Sequence, residues 1–232
     1  MKLVLSCEHG GNRVPRRYAG LFAGCEKVLA SHRGWDPGAL WLAKRLARAF
    51  DAPLHATTVT RLLVDTNRSE HHRGLFSPWS APMSREERDL VLDRHYRAHR
   101  GALERRLRGL TEAGASVLHL AVHSFTPHWQ GRVRRCDIGL LYDPQREAER
   151  ALCQQWQRLL LARSPRLRVR RNFPYRGAAD GLTTHLRRQL PARTYLGVEL
   201  ELNQRSIARA GARRRALAQR IESSLRTLLA EA

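Results

Sequence analysis

Cysteine, acidic side chains and long apolar runs are all scarce in this chain of 232 residues. Its four cysteines are widely spaced and form no C-x-x-C pair, which excludes a zinc knuckle and a disulfide framework. The apolar run that opens the chain, residues 3–5, is too short for a signal peptide or a membrane span. We therefore expect a soluble, cytoplasmic protein with reduced thiols and no membrane partner.

The shortage of acidic residues gives the chain an unusual charge. Asp and Glu together number 21 against 42 Lys and Arg, a formal net charge of +21. Such an excess is typical of nucleic-acid-binding proteins. The arginines are nevertheless spread over Ala/Leu/Arg-rich stretches, such as residues 41–50 and 205–226, that have the pattern of solvated helix faces. Because no nucleic-acid-binding motif accompanies them, we do not expect nucleic acid to be the partner.

Apolar strands and amphipathic helices alternate along the chain. The predicted strands are residues 3–5, 52–59, 117–123, 138–142, 167–171 and 195–202. The predicted helices begin at Asp36-Pro37, at a capping box formed by Ser84 and Glu87, at Arg146 and at Ser206. This alternation predicts an α/β fold, a three-layer α/β/α sandwich with a mixed, largely parallel central sheet, in one domain over residues 1–232.

Two histidines follow predicted strands. His9 lies in the segment SCEHGGN (residues 6–12), and His123 ends the apolar run of residues 117–122. Side chains at the carboxyl ends of neighbouring strands converge in an open α/β sheet, so the two imidazoles could share one metal ion. The alternative is a pair of loop histidines without a ligand.

Further polar residues complete a pattern: the Asn67-Arg68 pair, and Glu199 with Glu201. Their order resembles that of the zinc carboxypeptidase and aminoacylase-like superfamily, and more closely that of the N-formylglutamate amidohydrolase family. The segments that carry the resemblance are SCEHGGN (6–12), WDPGA (35–39), RLLVDTNR (61–68), HSFTP (123–127), DIGLLYD (137–143) and ELELNQ (199–204). The resemblance spans nearly the whole chain and implies a phosphorylase/hydrolase-like version of the predicted fold.

The superfamily pattern has a carboxylate three residues after the first histidine, whereas this chain has Asn12 there. A neutral amide is a poor zinc ligand, so the third ligand must come from elsewhere. We predict Asp36, for which a simple helix N-cap is the alternative, and the tandem pair His71-His72 is another source. The predicted metal ligands are thus His9, Asp36 and His123, holding Zn²⁺ or another divalent metal with a fourth position open for an activated water.

The resemblance also implies roles for the other polar residues. Glu201 is the predicted general base, and Glu199, on the same face of its strand, is the competitor. Arg68, beside Asn67, resembles a carboxylate clamp and is also predicted to stabilise negative charge during catalysis. Arg176 and Arg187, in the sequence ahead of the glutamate strand, are further predicted substrate contacts.

The implied activity is hydrolysis of the amide of a small N-acyl amino acid by zinc-activated water with a glutamate base. The family substrate is N-formyl-L-glutamate, which gives formate and L-glutamate, a reaction of histidine catabolism. One alternative is a hydrolase of other N-acyl amino acids or small peptides. The other is a basic nucleic-acid-binding protein on the same fold with a vestigial site. The sequence leaves the oligomeric state open.

Overall fold

A computed structural model of the chain describes residues 1–231 and contains a central six-stranded sheet. The strands are β1 (Lys2–Cys7), β2 (Leu54–Ala56), β3 (Val117–Phe125), β4 (His128–Trp129), β5 (Arg132–Val133), β6 (Ile138–Leu141), β7 (Val169–Arg171) and β8 (Tyr195–Asn203). Strands β4 and β5 form a separate hairpin, and the others have the order β2-β1-β3-β8-β6-β7. Every neighbouring pair in the large sheet is parallel except β6 and β8, which are antiparallel.

Helices cover both faces of this sheet. They are α1 (Glu26–Ala30), α2 (Ala39–Phe50), α3 (Arg85–Val91), α4 (Ala98–Glu112), α5 (Glu147–Arg163), α6 (Leu182–Gln189), α7 (Gln204–Ile207) and α8 (Ala212–Ala230), with a 3₁₀ helix at Arg16–Phe22 and a π-helical segment at Leu92–Arg97. Apolar residues of α2, α5 and α8 pack on one face, and those of α4 and α6 pack on the other. The predicted three-layer fold with a mixed, largely parallel sheet is confirmed.

The alternation of side chains along β8 separates the core from a polar face. Leu200 and Leu202 are fully buried in the core under α2, α5 and α8. Successive residues of a strand point to opposite faces, so Glu199 and Glu201 lie on the α4 and α6 side. Strand β3 does the same, with Val122 in the first core and His123 on the side of the glutamates. The sheet therefore presents its polar residues on one face near the carboxyl end of β3 and β8.

Two of the predicted helices begin in different ways, one at a capping box and the other at a glycine. The capping box at Ser84 is present, because Glu87 N donates to Ser84 Oγ at 3.2 Å and Ser84 N donates to Glu87 Oε2 at 3.1 Å. At α2, by contrast, the N-cap is Gly38, which has a φ of +88° and no room for a Cβ, since one would lie 2.4 Å from Ile207 O. Asp36 therefore does not act as the helix cap.

Other boundaries differ from the sequence prediction. The predicted strand 52–59 is shorter, because only Leu54–Ala56 pairs with β1 as a strand. The segment 61–68 lies in a turn-rich loop and not at the end of a strand. The predicted C-terminal helix is divided into α7 and α8 at Gly211, whose φ of +148° is incompatible with a helix. Across residues 1–231, no helix has the length and apolar character needed to cross a bilayer.

A buried ion pair ties α5 and α6 to the sheet. Arg187 Nε donates to both oxygens of Glu149 at 3.0 Å, and Arg187 Nη2 donates to Gly197 O in β8 at 2.7 Å. Glu149 also accepts from Gly197 N at 3.0 Å. The two side chains are 5% and 1% exposed, so this is a desolvated charge pair with nearly all its hydrogen bonds satisfied.

Replacing Arg187 by Met should destabilise the protein strongly. Removing one member of a buried pair leaves the other charge uncompensated, which typically costs about 3–5 kcal/mol. Urea unfolding measures the loss, and Arg188→Met is the matched control because Arg188 is the exposed next residue of α6 and surface changes usually stay within about 0.5 kcal/mol. Equal stabilities of the two variants would contradict the prediction.

Candidate active site

Three residues from separate elements converge on the polar face of the sheet. His9 follows β1, Asp36 precedes α2 and His123 lies in β3, and one ligand atom from each lies within 4.8 Å of the other two. Asp36 Oδ2 is 3.5 Å from His9 Nδ1 and 3.0 Å from His123 Nδ1. All three are buried. The pairing of β1 with β3 as parallel neighbours is what brings the two histidines together.

The donor set of this cluster fits a divalent metal ion. His9 Nδ1 is buried and has no hydrogen-bond partner, although buried polar atoms are nearly always satisfied. Two imidazole nitrogens and one carboxylate oxygen are a common protein ligand set of catalytic zinc, which leaves a fourth position for water or substrate. A cation in contact with these three residues would satisfy the unpartnered nitrogen. The sequence-predicted ligands His9, Asp36 and His123 are thus brought into one candidate metal site.

Each histidine has a second carboxylate on its far nitrogen. His9 Nε2 lies 2.7 Å from Asp65 Oδ1, and His123 Nε2 lies 3.0 Å from Glu8 Oε2. Carboxylates in this position orient metal-binding histidines and raise their basicity. The Asp65 contact has hydrogen-bond geometry, whereas the Glu8 contact does not and is mainly electrostatic.

Charges around these carboxylates keep them ionised. Burial alone would raise the pKa of Asp65, but Arg61 and His9 outweigh it and hold the pKa well below its usual range. Burial likewise opposes ionisation of Glu8, whose pKa is held low by His123 and His99. Arg61 reaches Asp65 Oδ2 at 2.7 Å and lies 3.6 Å from Asp36 Oδ1, so one guanidinium supports both aspartates.

Glu8 and Asp65 are not among the site residues predicted from the sequence. The side chain of Glu8 reaches His123. Asp65 lies between His9 and Arg61. The alternation of β1 contained the signal for Glu8, because Val4 and Ser6 face the α4 side and position 8 shares their parity.

The two predicted glutamates are next to the cluster and differ in environment. Glu201 pairs in register with His123, and Glu199 with Ala121, two residues earlier. Glu199 Oε1 accepts a hydrogen bond from Thr183 Oγ1 at 2.7 Å, whereas Glu201 Oε2 is buried without a partner. Burial raises the pKa of Glu201 to about 8, and the negative charges of Asp36 and Glu199 add to the effect.

A cavity of about 580 Å³ opens over the cluster. Its lining includes all three candidate ligands, both glutamates, and Asn67, Arg68 and Arg176. Asn67 Oδ1 accepts from Leu182 N at 2.8 Å, which leaves the amide nitrogen as a donor for a ligand. Arg68 donates to Asp180 O at 3.2 Å. The cavity therefore combines a candidate metal site, carboxylates and donors suited to an anionic substrate.

Other sequence candidates lie elsewhere. Arg187 is not part of the cavity lining and is held by Glu149 of α5. Asn12, which stands at the superfamily's ligand position, donates to Leu29 O instead. In the tandem histidine pair, His72 Nδ1 accepts from Gly74 N within an exposed loop. Cys7 is buried in the apolar core, where burial raises its thiol pKa.

The fold and the site together define an α/β protein with a candidate metal site in a cavity at the carboxyl end of its sheet, and comparison with known proteins gives the family. The model of the N-formylglutamate amidohydrolase family matches residues 1–208, so the chain belongs to that family and is a hydrolase by membership. No curated protein sequence matches it at a significant level.

Two solved structures resemble this one over nearly their full length. The gene product Atu2144 from Agrobacterium tumefaciens aligns with a TM-score of 0.84 and 29% identity, covering 99% of this chain and 91% of that one. N-formylglutamate amidohydrolase from Ralstonia eutropha JMP134 aligns with a TM-score of 0.71 and 20% identity, covering 98% of this chain and 93% of its own. At that identity the second match supports the fold alone.

The raised pKa of Glu201 predicts a pH-dependent cost to stability in the metal-free protein. The unfolded carboxyl titrates near 4.5 and the folded one near 8, so between these values the folded state binds more protons. Stability therefore falls as the pH rises through this window. Glu201→Gln removes the effect and should stabilise the protein at pH 8 by more than about 1.4 kcal/mol, the value of one pKa unit, but not below pH 4.5.

Urea unfolding in the presence of a chelator, at pH 4.5 and pH 8, measures this difference. Glu199→Gln is the matched comparison on the same face of β8 and should gain less than Glu201→Gln, because it removes only one of the charges that raise the pKa of Glu201 and also weakens the hydrogen bond from Thr183. A gain for Glu201→Gln that is the same at both pH values would refute the explanation.

Proposed function

We propose that this protein is a zinc-dependent hydrolase that cleaves the amide bond of an N-acyl amino acid. The observation that carries the proposal is that the buried His9-Asp36-His123 cluster and Glu201 share one cavity with Asn67 and Arg68. Family membership supports the reaction class. The name of the family makes N-formyl-L-glutamate the first substrate to test, with formate and L-glutamate as the expected products and a role in cytoplasmic histidine catabolism.

The cluster residues would hold the metal through His9 Nδ1, His123 Nδ1 and an Asp36 oxygen. A divalent metal there would polarise the scissile carbonyl and lower the pKa of water at its open position. Asp65 and Glu8 keep the two imidazoles oriented from behind. Arg61 keeps Asp65 ionised and remains bound to it, so it contributes electrostatic support and not substrate binding.

Glu201 serves as the general base in this proposal. Its carboxylate takes a proton from the attacking water and then delivers that proton to the nitrogen of the leaving amino acid. Burial raises its proton affinity, and a cation at the cluster would favour the carboxylate form that accepts the proton from water. Glu199, fixed by Thr183, would then be a neighbour that raises the proton affinity of Glu201.

Asn67, Arg68 and Arg176 would bind the carboxylates of the substrate. A guanidinium offers two parallel donors to a carboxylate, and Arg68 and Arg176 both line the cavity. Arg68 is held at one end by Asp180 O, which fixes its direction without neutralising its charge. In this proposal the positive charges lie beside the amide, where they would also stabilise the negative charge of the transition state.

Metal retention tests the ligand set. We expect Asp36→Ala and His123→Ala to retain less than about a tenth of the zinc held by the unchanged protein, because each variant loses one of three protein ligands. Asn12→Ala is the matched control and should retain zinc fully, since Asn12 bonds to Leu29 O. Elemental analysis after dialysis gives the answer, and stoichiometric zinc in His123→Ala would remove that residue from the ligand set.

Formate release from N-formyl-L-glutamate tests the reaction. Release should stop on chelation and return with zinc, and Glu201→Gln should lower kcat by about 10²–10⁴-fold while zinc remains bound. Release that persists in chelator would contradict the metal-dependent mechanism. A zinc-containing protein that releases no formate would shift the proposal to other N-acyl amino acids.

A further inference from the structure

Exposed apolar side chains concentrate beside the cavity. Among residues 1–231, the large apolar side chains that are exposed are Met1, Trp129, Val133 and Tyr175. Trp129 and Val133 belong to the β4–β5 hairpin, which follows the strand that carries His123. Trp129 and Tyr175 are each 46% exposed and line the cavity. Large exposed aromatic groups at the mouth of a site are typical of a surface that contacts a ligand.

Arg134 holds these rings in place. Its guanidinium carbon lies 5.2 Å from the ring centres of Trp129 and Tyr175 and 5.9 Å from that of Phe125. It also donates to Tyr175 Oη at 3.2 Å. These distances are those of cation–π contacts. One cation thus fixes three rings, and all three rings, but not Arg134 itself, line the cavity.

The backbone of Arg134 is fixed as well. Its N–H donates to Pro127 O at 2.8 Å, and its carbonyl oxygen accepts from Asn203 Nδ2 at 3.2 Å. Asn203 ends β8, so the arginine is anchored to the same sheet end as the candidate metal site. We call Phe125, Trp129 and Tyr175 the aromatic wall. A wall fixed before binding needs little further ordering when a ligand stacks on it.

The cavity is large for the substrate that the family name suggests. Its volume of about 580 Å³ lies in the range of about 300–1,000 Å³ that accommodates drug-sized ligands. The acyl group of N-formyl-L-glutamate is a single carbon, and its side chain is a carboxylate. Neither part makes use of an apolar aromatic surface.

We propose that the preferred substrate carries an aromatic or large apolar group that stacks on the aromatic wall, which makes the wall the specificity-determining part of the site. The inference rests on the proposed function and narrows its substrate class to N-acyl amino acids with such a group. The group is either the acyl moiety or the amino-acid side chain. Trp129 is the central residue, because its ring also lies edge-on to that of His32, with the ring centres 6.1 Å apart, and both residues line the cavity.

Ligand binding tests the wall without relying on turnover. The Glu201→Gln protein, supplied with zinc, is titrated by calorimetry with N-formyl-L-glutamate, N-formyl-L-phenylalanine and N-benzoyl-L-glutamate. We expect at least one aromatic ligand to bind about tenfold more tightly or better than N-formyl-L-glutamate, as expected for burying one aromatic group. Tighter binding of the benzoyl compound assigns the wall to the acyl group, and tighter binding of the phenylalanine compound assigns it to the side chain.

Variants in the same background test the role of the ring. Trp129→Ala should reduce the aromatic advantage to less than about threefold, because the stacking surface is lost. Val133→Ala is the matched control on the same hairpin but outside the cavity lining, and it should keep the advantage. Equal affinity for the three ligands, an advantage that survives Trp129→Ala, or an equal loss in Val133→Ala would each overturn the proposal.

Activity of the unchanged protein separates this inference from the proposed function. Metal-dependent release from N-formyl-L-glutamate without any aromatic advantage in binding would support the hydrolase and refute the wall. A clear aromatic advantage that depends on Trp129, in a protein that cleaves none of the three compounds, would support the wall as a binding surface and refute hydrolysis of these N-acyl amino acids.

Discussion

The structure depends on burying several carboxylates at one end of its sheet. Asp36, Asp65 and Glu201 are each at most 5% exposed around two buried histidines. Removing ionised groups from water is costly unless charges and hydrogen bonds compensate. Arg61 and His9 compensate Asp65, but the unpartnered atoms His9 Nδ1 and Glu201 Oε2 remain. A bound cation would compensate this negative charge and the unpartnered nitrogen together, so occupancy of the candidate metal site would also stabilise this region.

Much of the fold could be predicted from the sequence, because buried apolar residues recur with the period of the strand or helix that contains them. The alternation in residues 195–202 gave β8 and its two faces, and with them the shared face of Glu199 and Glu201. The apolar runs before His9 and His123 gave the strands whose adjacent ends meet. The position of the segment 61–68 was harder to predict, since it depends on loop contacts and not on a repeating pattern.

The features that the sequence did not predict depend on contacts between residues that are far apart in the chain. Arg187 has the sequence surroundings of a substrate arginine, yet Glu149, on another helix, binds it. Asp36 has the surroundings of a helix cap, yet the close approach of Ile207 to Gly38 shifts the helix start and leaves Asp36 to face His123. Glu8 is absent from the predicted site because its partner, His123, lies 115 residues away in the sequence. A single sequence contains no signal for such pairings other than the alternation of side chains between the two faces of a strand.

The arginines that give this protein its large positive charge have several different structural roles. Arg187 satisfies a buried glutamate, Arg61 supports the carboxylate behind a candidate ligand, and Arg134 holds three aromatic rings. Each role uses the flat guanidinium and its several donors, which a lysine ammonium cannot reproduce. Net charge counts these internal arginines together with those on solvated helix faces. It therefore overstates the case for a polyanionic partner, whereas Arg68 and Arg176, which line the cavity, suit the small anionic substrate proposed above.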